Sequence, residues 1–413
     1  MGKVQKKCMQ RNLQHIYVSV TFTIAIYSKR YFKKKGLKNR IICVILKRLN
    51  KNIFKGEVVM KKIVLLGCLG LSSIVYAGEG RISADIQTMN GKAGEYVYAD
   101  NGDKVSYLDW KIRNVPILKL GYDYTYNNWE FSVAGKKNIG KNYRSGYMKD
   151  YDWFSTPEGE DKVLYVSGKT KEEAEKIAER KKGLEVKKDE EEDDTYSVYY
   201  TPQEEDRGSL SNFSKNKNYV KNIAGIDLSV KYYVKKSEKF TFAPLVGLNY
   251  DKYEFYSLSG DQLNYIPGVG AGVFPGENIK SITYKQRFMT PYIGFKMTYI
   301  PNVNWDITWG LNGSLWGRAR AIDRHLERGS METVERFKNM KYLSSDLTVK
   351  YHWNEAFSLK AGVEIVKHFK NTKPTVRVTP EEVTKDDPVT TEKNIGGAKN
   401  YNVSYSLGFE YKF

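Results

Sequence analysis

The chain has 413 residues, 67 Lys and Arg against 48 Asp and Glu, and a formal net charge of +19. Such a balance ordinarily points to nucleic acid or an acidic surface, but residues 1–59 hold 15 of the bases against one acid, Glu57, and Lys61 and Lys62 add two more, which leaves +3 for residues 78–413. Nucleic acid is therefore not expected as a partner of the main body; with all three cysteines (Cys8, Cys43, Cys68) ahead of residue 78, disulfides, thiolate catalysis and Cys-ligated metals fall away too.

Residues 1–59 carry only short apolar patches, Ile16–Tyr27 and Ile41–Leu46, below the roughly 20 residues that a membrane helix needs. Lys55-Gly56-Glu57 is encodable by the purine-rich kind of stretch that precedes a start codon, and Met60 follows at a fitting distance. The segment reads as an over-extended gene model, with a genuine basic pre-segment as the alternative. Residues 60–77 read as a signal peptide: Lys61-Lys62 is the basic n-region, Ile63 to Val75 the apolar h-region and Val75-Tyr76-Ala77 the cleavage site. The mature chain would then begin at Gly78. Leu65-Leu66-Gly67-Cys68 loosely resembles a lipoprotein box, but the apolar run ahead of it, about five residues, is short of the usual run of about 7–15.

From Gly78 onward the dominant signal is a period of two. Ile226, Leu228, Val230 and Tyr232 alternate with Asp227, Ser229 and Lys231. Trp305, Ile307, Trp309 and Leu311 do the same with their polar neighbours, as do Phe357, Leu359, Ala361, Val363 and Ile365. The chain ends on Tyr401, Val403, Tyr405, Leu407, Phe409, Tyr411 and Phe413, alternating without error and closing on an aromatic residue. Long, Tyr- and Trp-rich alternating strands in a secreted, cysteine-free chain predict lipid on one side. Backbone groups in lipid must all be paired, so the strands must close into a ring.

Tight links fall near Asn127-Asn128, Lys235–Glu238, Pro301–Asn304 and Asn354–Ala356, and longer polar connections near 90–103, 148–216, 260–278, 323–336 and 370–397. Alternating short and long connections predict an all-β fold: a ten-stranded antiparallel transmembrane β-barrel with short periplasmic turns and long extracellular loops. The connection 148–216 is far longer than a loop requires. Within it, Lys171–Arg180 has the i,i+3/i+4 charge spacing of a helix and Glu190–Asp194 is an acidic run, so a solvated or partly disordered insertion is expected, with a gate over the barrel mouth as the alternative.

Two Asp-containing pairs are candidates for chemistry. Asp323 precedes His325 by two residues, and Asp150 precedes Asp152 by two. In extended chain, i and i+2 share a side, so Asp323 can orient and support the imidazole as a general base. Two close carboxylates can hold and polarise a water. With no activated Ser or Cys in view, water is the expected nucleophile, and no metal is implied. His352 and His368 lack an acid two residues away.

Ordered along the chain, these residues resemble the omptins, outer-membrane aspartate/histidine endopeptidases. The resemblance rests on Gly91-Lys92-Ala93-Gly94-Glu95-Tyr96-Val97-Tyr98, Leu108-Asp109-Trp110-Lys111 and Met148-Lys149-Asp150-Tyr151-Asp152-Trp153. It continues through Tyr284-Lys285-Gln286-Arg287-Phe288, Pro291-Tyr292-Ile293-Gly294 and Asp323-Arg324-His325. It implies an Asp323–His325 dyad facing an Asp150–Asp152 pair, and Glu95 lining a pocket for a basic side chain before the cut. Where the family usually has a second pocket acid, this chain has Ala321, which puts strict basic-residue specificity in doubt. It also implies polypeptide substrates, an outer-membrane location with the site facing outward, and no cofactor beyond a need for lipopolysaccharide. Arg287, Lys252 and Lys338 are the lipopolysaccharide candidates; Lys338 is out of step with the outward parity of Leu347 and Val349. A non-enzymatic porin or adhesin barrel is the competing reading. The basic pairs Arg180-Lys181-Lys182 and Lys187-Lys188 lead to a further expectation, self-cleavage between residues 180 and 189.

Overall fold

A computed structural model describes residues 78–155, 162–189, 194–327, 331–379 and 391–413. The basic segment 1–59 and the expected signal peptide 60–77 lie outside them. The elements in chain order are β1 (Glu79–Tyr98), β2 (Lys104–Tyr126), β3 (Trp129–Asn138), β4 (Tyr143–Trp153), β5 (Val163–Lys169), α1 (Lys171–Ala178), β6 (Leu184–Lys188) and β7 (Tyr196–Tyr200). They continue with β8 (Leu210–Tyr232), β9 (Lys235–Lys236), β10 (Phe240–Leu258), β11 (Gln262–Ile266), β12 (Gly270–Phe274) and β13 (Lys280–Asn302). Last come β14 (Trp305–His325), β15 (Met331–His352), β16 (Phe357–Asn371), β17 (Thr375–Thr379), β18 (Thr391–Lys393) and β19 (Gly396–Lys412).

Ten antiparallel strands close on themselves, with β3 and β4 together forming the third and β19 pairing both β16 and β1. The four expected tight links all occur at one rim; Asn127 there takes a left-handed φ of 54°, which Asn tolerates better than most residues. At the other rim the strands run on further than their sequence suggests. The expected loops 90–103 and 323–336 shorten to the turns after Tyr98 and His325. A strand of 23 residues such as β13 is about twice the 9–11 that cross a bilayer. Beyond the lipid its outer face is solvated, so the apolar alternation that marks a strand fades there.

Two zones follow. Towards the short-turn rim, Ile82, Ile86, Leu118, Leu120, Val246, Ile293 and Leu407 are exposed on the outer wall, and Tyr126, Trp129, Tyr299, Trp305 and Phe413 ring its edge. This is a lipid-facing belt with an aromatic girdle. The lumen inside it is lined by ion pairs: Lys360–Asp85 at 3.0 Å, Arg81–Glu130 and Lys350–Glu410 at 2.7 Å, and Lys136–Asp251 at 2.8 Å. His368 also reaches Asp251, Nε2 to Oδ2 3.9 Å, and stacks on Phe288 with ring centres 3.8 Å apart. Farther up, Trp110, Phe255, Tyr284, Phe288 and Phe337 form a buried apolar cluster across the barrel.

Bulges between the zones reset which residues face in. The ladders slip between Met89 and Gly91 on β1, Arg144 and Tyr147 on β4, Gly317 and Ala319 on β14, and His368 and Asn371 on β16. On β15 the extra residue falls at Asn339, whose φ is 55°. An inserted residue flips every later side chain to the other face. Lys338 and Arg336 are therefore exposed above the bulge just as Leu343 and Leu347 are below it. The parity objection to Lys338 disappears.

Within the described residues the 148–216 connection carries strands as well as the expected helix. β4 continues to Trp153 and β8 begins at Leu210; between them β5, β7 and β6 make a three-stranded sheet. The expected helix is α1, capped by Thr170 and Glu173 in a reciprocal box. Phe154, Tyr165 and Tyr200 bury themselves with Ile266 from the β11–β12 hairpin. Lys181 pairs with Asp206 at 2.8 Å and donates to the Pro267 carbonyl at 3.0 Å, while Lys187 and Lys188 lie in β6. Arg180, Lys182, Lys187 and Lys188 are exposed, and self-cleavage at 180–189 stands as an expectation. Residues 190–193 of the acidic run lie outside the described residues.

Candidate active site

β14 carries the dyad at its upper end. His325 Nε2 stands 2.7 Å from Asp323 Oδ2, with the Asp323 side chain 7% exposed and that of His325 20%. Asp323 pairs in the ladder with Tyr284 on one side and Thr333 on the other. Its second oxygen, Oδ1, is buried without a hydrogen-bond partner.

Asp150 and Asp152 lie on β4. Asp150 is opposite Leu108 of β2, and Leu108 is opposite Glu95 of β1, which is in turn opposite Ala398 of β19. Directly opposed residues share a face, so this row places Asp150 and Glu95 on the same inner wall. Ser106 donates to Asp150 Oδ1 at 3.4 Å.

Glu95 is buried, and burial raises its pKa, followed by the negative charges of Asp323, Glu335 and Asp150; the Trp110 indole acts the other way. The four carboxylates thus share one lumen above the apolar cluster. Beneath them Gln286 donates to the Lys399 carbonyl at 3.1 Å and to Tyr284 Oη at 2.9 Å, and accepts from Asn400 at 2.9 Å. That network fixes the floor on which the acids stand.

Glu335 was not legible in the sequence. It is the ladder partner of Ala321, and its pKa is pushed up to about 8 by burial and then by Asp323, while Gly397 N–H donates to it. Taking 323–336 as a long loop hid the pairing; a short hairpin after His325 aligns residues 321 and 335 at once.

On the outer wall the proposed lipid cations gain company. Lys252 is opposite Arg287, Arg287 opposite Arg320, and Arg320 opposite Arg336, a row across β10, β13, β14 and β15. Like charges directly opposed repel, and the Nε atoms of Arg287 and Arg320 are buried without partners. Lys252 itself pairs with Glu254 at 2.9 Å, and Lys285 pairs with the same Glu254 oxygen at 2.8 Å. Among the described residues no group of three His, Cys, Asp or Glu is arranged to hold a metal ion.

The Omptin family model matches residues 79–173 and 193–413; the unmatched stretch falls in the insertion, from within α1 to just before β7. The chain is 27% identical over 350 residues to outer membrane protease OmpP of Escherichia coli K12, spanning 82% of this chain and 92% of that protein. It is 23% identical over 335 residues to the plasminogen activator of Yersinia pestis, spanning 80% and 89%. The crystal structure of outer membrane protease OmpT from Escherichia coli superposes with a TM-score of 0.63 at 20% identity, covering 81% of this chain and 97% of that one.

Proposed function

The chain belongs to the Omptin family and is an outer-membrane β-barrel, and from that premise we propose that it is an endopeptidase whose nucleophile is water. The observation that carries the reading is the His325–Asp323 contact at 2.7 Å, set at the rim of a lumen lined by carboxylates. Relatives that bear the name outer membrane protease or protease 7 agree with it.

In this reading a water held by Asp150 and Asp152 attacks the scissile carbonyl carbon. His325 takes the water proton as the C–O bond forms, then hands it to the departing amine as the C–N bond breaks. Asp323 engages the imidazole at Nε2 and stabilises the imidazolium that forms. Glu95 receives a basic side chain before the cut. The site faces the outside, above the lipid belt, where polypeptides in the medium reach it.

The same reading assigns the outer cation row to lipopolysaccharide. Phosphates of its headgroup would relieve the repulsion among Lys252, Arg287, Arg320 and Arg336, with Lys338 beside them. The porin alternative fits the lumen poorly, since a buried aromatic cluster packs across it above the ion pairs. Incubating refolded protein with a mixed peptide library, with and without lipopolysaccharide, tests the activity. Cleavage adjacent to Arg or Lys is expected; an unaltered library would refute the enzyme.

A further inference from the structure

We propose that Glu335 supplies the second carboxylate of the pocket for the side chain before the cut, in place of residue 321, so that the pocket demands a cation. The inference rests on the endopeptidase reading and on the role given to Glu95.

Three observations carry it. First, Glu335 and Ala321 are direct ladder partners and both are buried in the lumen. Opposed Cα atoms lie only about 4.5–5.5 Å apart, so a longer acid on β15 reaches the space that a short acid on β14 would fill. Ala321 brings no charge of its own to that space.

Second, these carboxylates lack the cations that accompany their neighbours. Deeper in the lumen Asp85, Glu130, Asp251, Glu364 and Glu410 each pair with a Lys or Arg of the chain. Glu95 and Glu335 have no such partner among the described residues, and Oε2 of each is buried without a hydrogen bond. Burying charge is costly unless it is paired. Two such groups at the mouth of a barrel await a cation from outside.

Third, the seat is built. Gly397 N–H donates to Glu335, and a Cβ on Gly396 would fall 1.7 Å from Glu335 Oε1. Any larger residue at 396 would drive the carboxylate away.

The charged and titratable groups around Glu335 are Asp323 on β14, Glu95 on β1 and the Tyr284 hydroxyl on β13, with Asp150 on β4 acting on Glu95 in turn. Crowded this way, the empty pocket holds a proton at neutral pH, and an entering guanidinium displaces it. Binding of a basic side chain should therefore tighten as pH rises towards and past about 8, the value to which Glu335 is pushed.

The test uses two peptides that differ only by arginine or citrulline before the cut, with the refolded protein and lipopolysaccharide. Glu335→Gln should lower the arginine-to-citrulline ratio of kcat/KM at least tenfold, mostly through a raised KM for the arginine peptide. Adding Ala321→Asp to Glu335→Gln should restore the ratio by returning the charge from the other strand. An unchanged ratio in Glu335→Gln, or equal losses on both peptides, overturns the proposal. Agmatine binding by calorimetry to the His325→Ala form decides the matter apart from catalysis: at least tenfold weaker binding with Glu335→Gln is expected, and equal binding overturns it. Failure of the endopeptidase reading would show separately, as wild-type protein that cleaves neither peptide yet still binds agmatine.

Discussion

Asp323 and His325 are two residues apart on one strand, yet their side chains close to 2.7 Å between Oδ2 and Nε2. Neighbours at i and i+2 lie on one face of a strand, so the dyad is built into β14 without help from a loop. Asp323→Asn keeps the shape and removes the charge that supports a protonated imidazole. A loss of about 10²–10⁴-fold in kcat is expected with KM little changed. Initial-rate measurements on an arginine peptide check it.

Glu335 links stability to pH with a definite sign. Its pKa is raised from 4.5 to about 8, so between those values the unfolded chain sheds a proton that the folded chain keeps. The contribution of this group is fully present below about pH 4.5 and is lost as pH rises to about 8. Glu335→Gln should match the wild type near pH 4 and be the more stable protein at pH 9. Urea midpoints in detergent micelles at the two pH values measure this, and a variant weaker at pH 9 would contradict it.

The outer-wall row makes a prediction about lipid. Arg287 and Arg320 are opposed and lack partners at Nε, so a phosphate between them would gain charge-assisted bonds from both. Arg287→Ala with Arg320→Ala should raise the lipopolysaccharide concentration for half-maximal activity at least tenfold. The maximal rate should be nearly unchanged. Equal response of variant and wild type would remove lipopolysaccharide from this wall.

Conductance separates an enzyme from a porin. Trp110 packs at 5.7 Å from both Phe255 and Tyr284, centre to centre, across the lumen. Planar-bilayer recordings should show no steady channel for the wild type. Current comparable with that of an open pore would favour the porin.

Much of this was legible in the sequence, for physical reasons. Strands that face lipid must alternate, so Tyr401–Phe413 and the four tight links revealed a ten-stranded ring. The Asp323–His325 contact was legible because i,i+2 spacing in a strand brings side chains together. What was hidden lay above the lipid, where the outer face of a strand is solvated and polar residues there mimic a loop. That concealed the upper half of β1, the start of β15 and the Ala321–Glu335 pairing. Lys338 was obscured by a bulge at Asn339, since one inserted residue reverses parity. The insertion was obscured because its core is shared with Ile266 of the β11–β12 hairpin, distant in sequence.

The reading of this barrel as a water-using endopeptidase turns on His325. The most direct measurement is hydrolysis of an arginine-containing fluorogenic peptide by wild-type and His325→Ala protein, refolded side by side with lipopolysaccharide and both shown to be folded. A fall in rate of at least 10³-fold in the variant is expected, because His325 is the general base that takes the proton from water in this mechanism. Cleavage by His325→Ala at a rate near that of the wild type would contradict the mechanism.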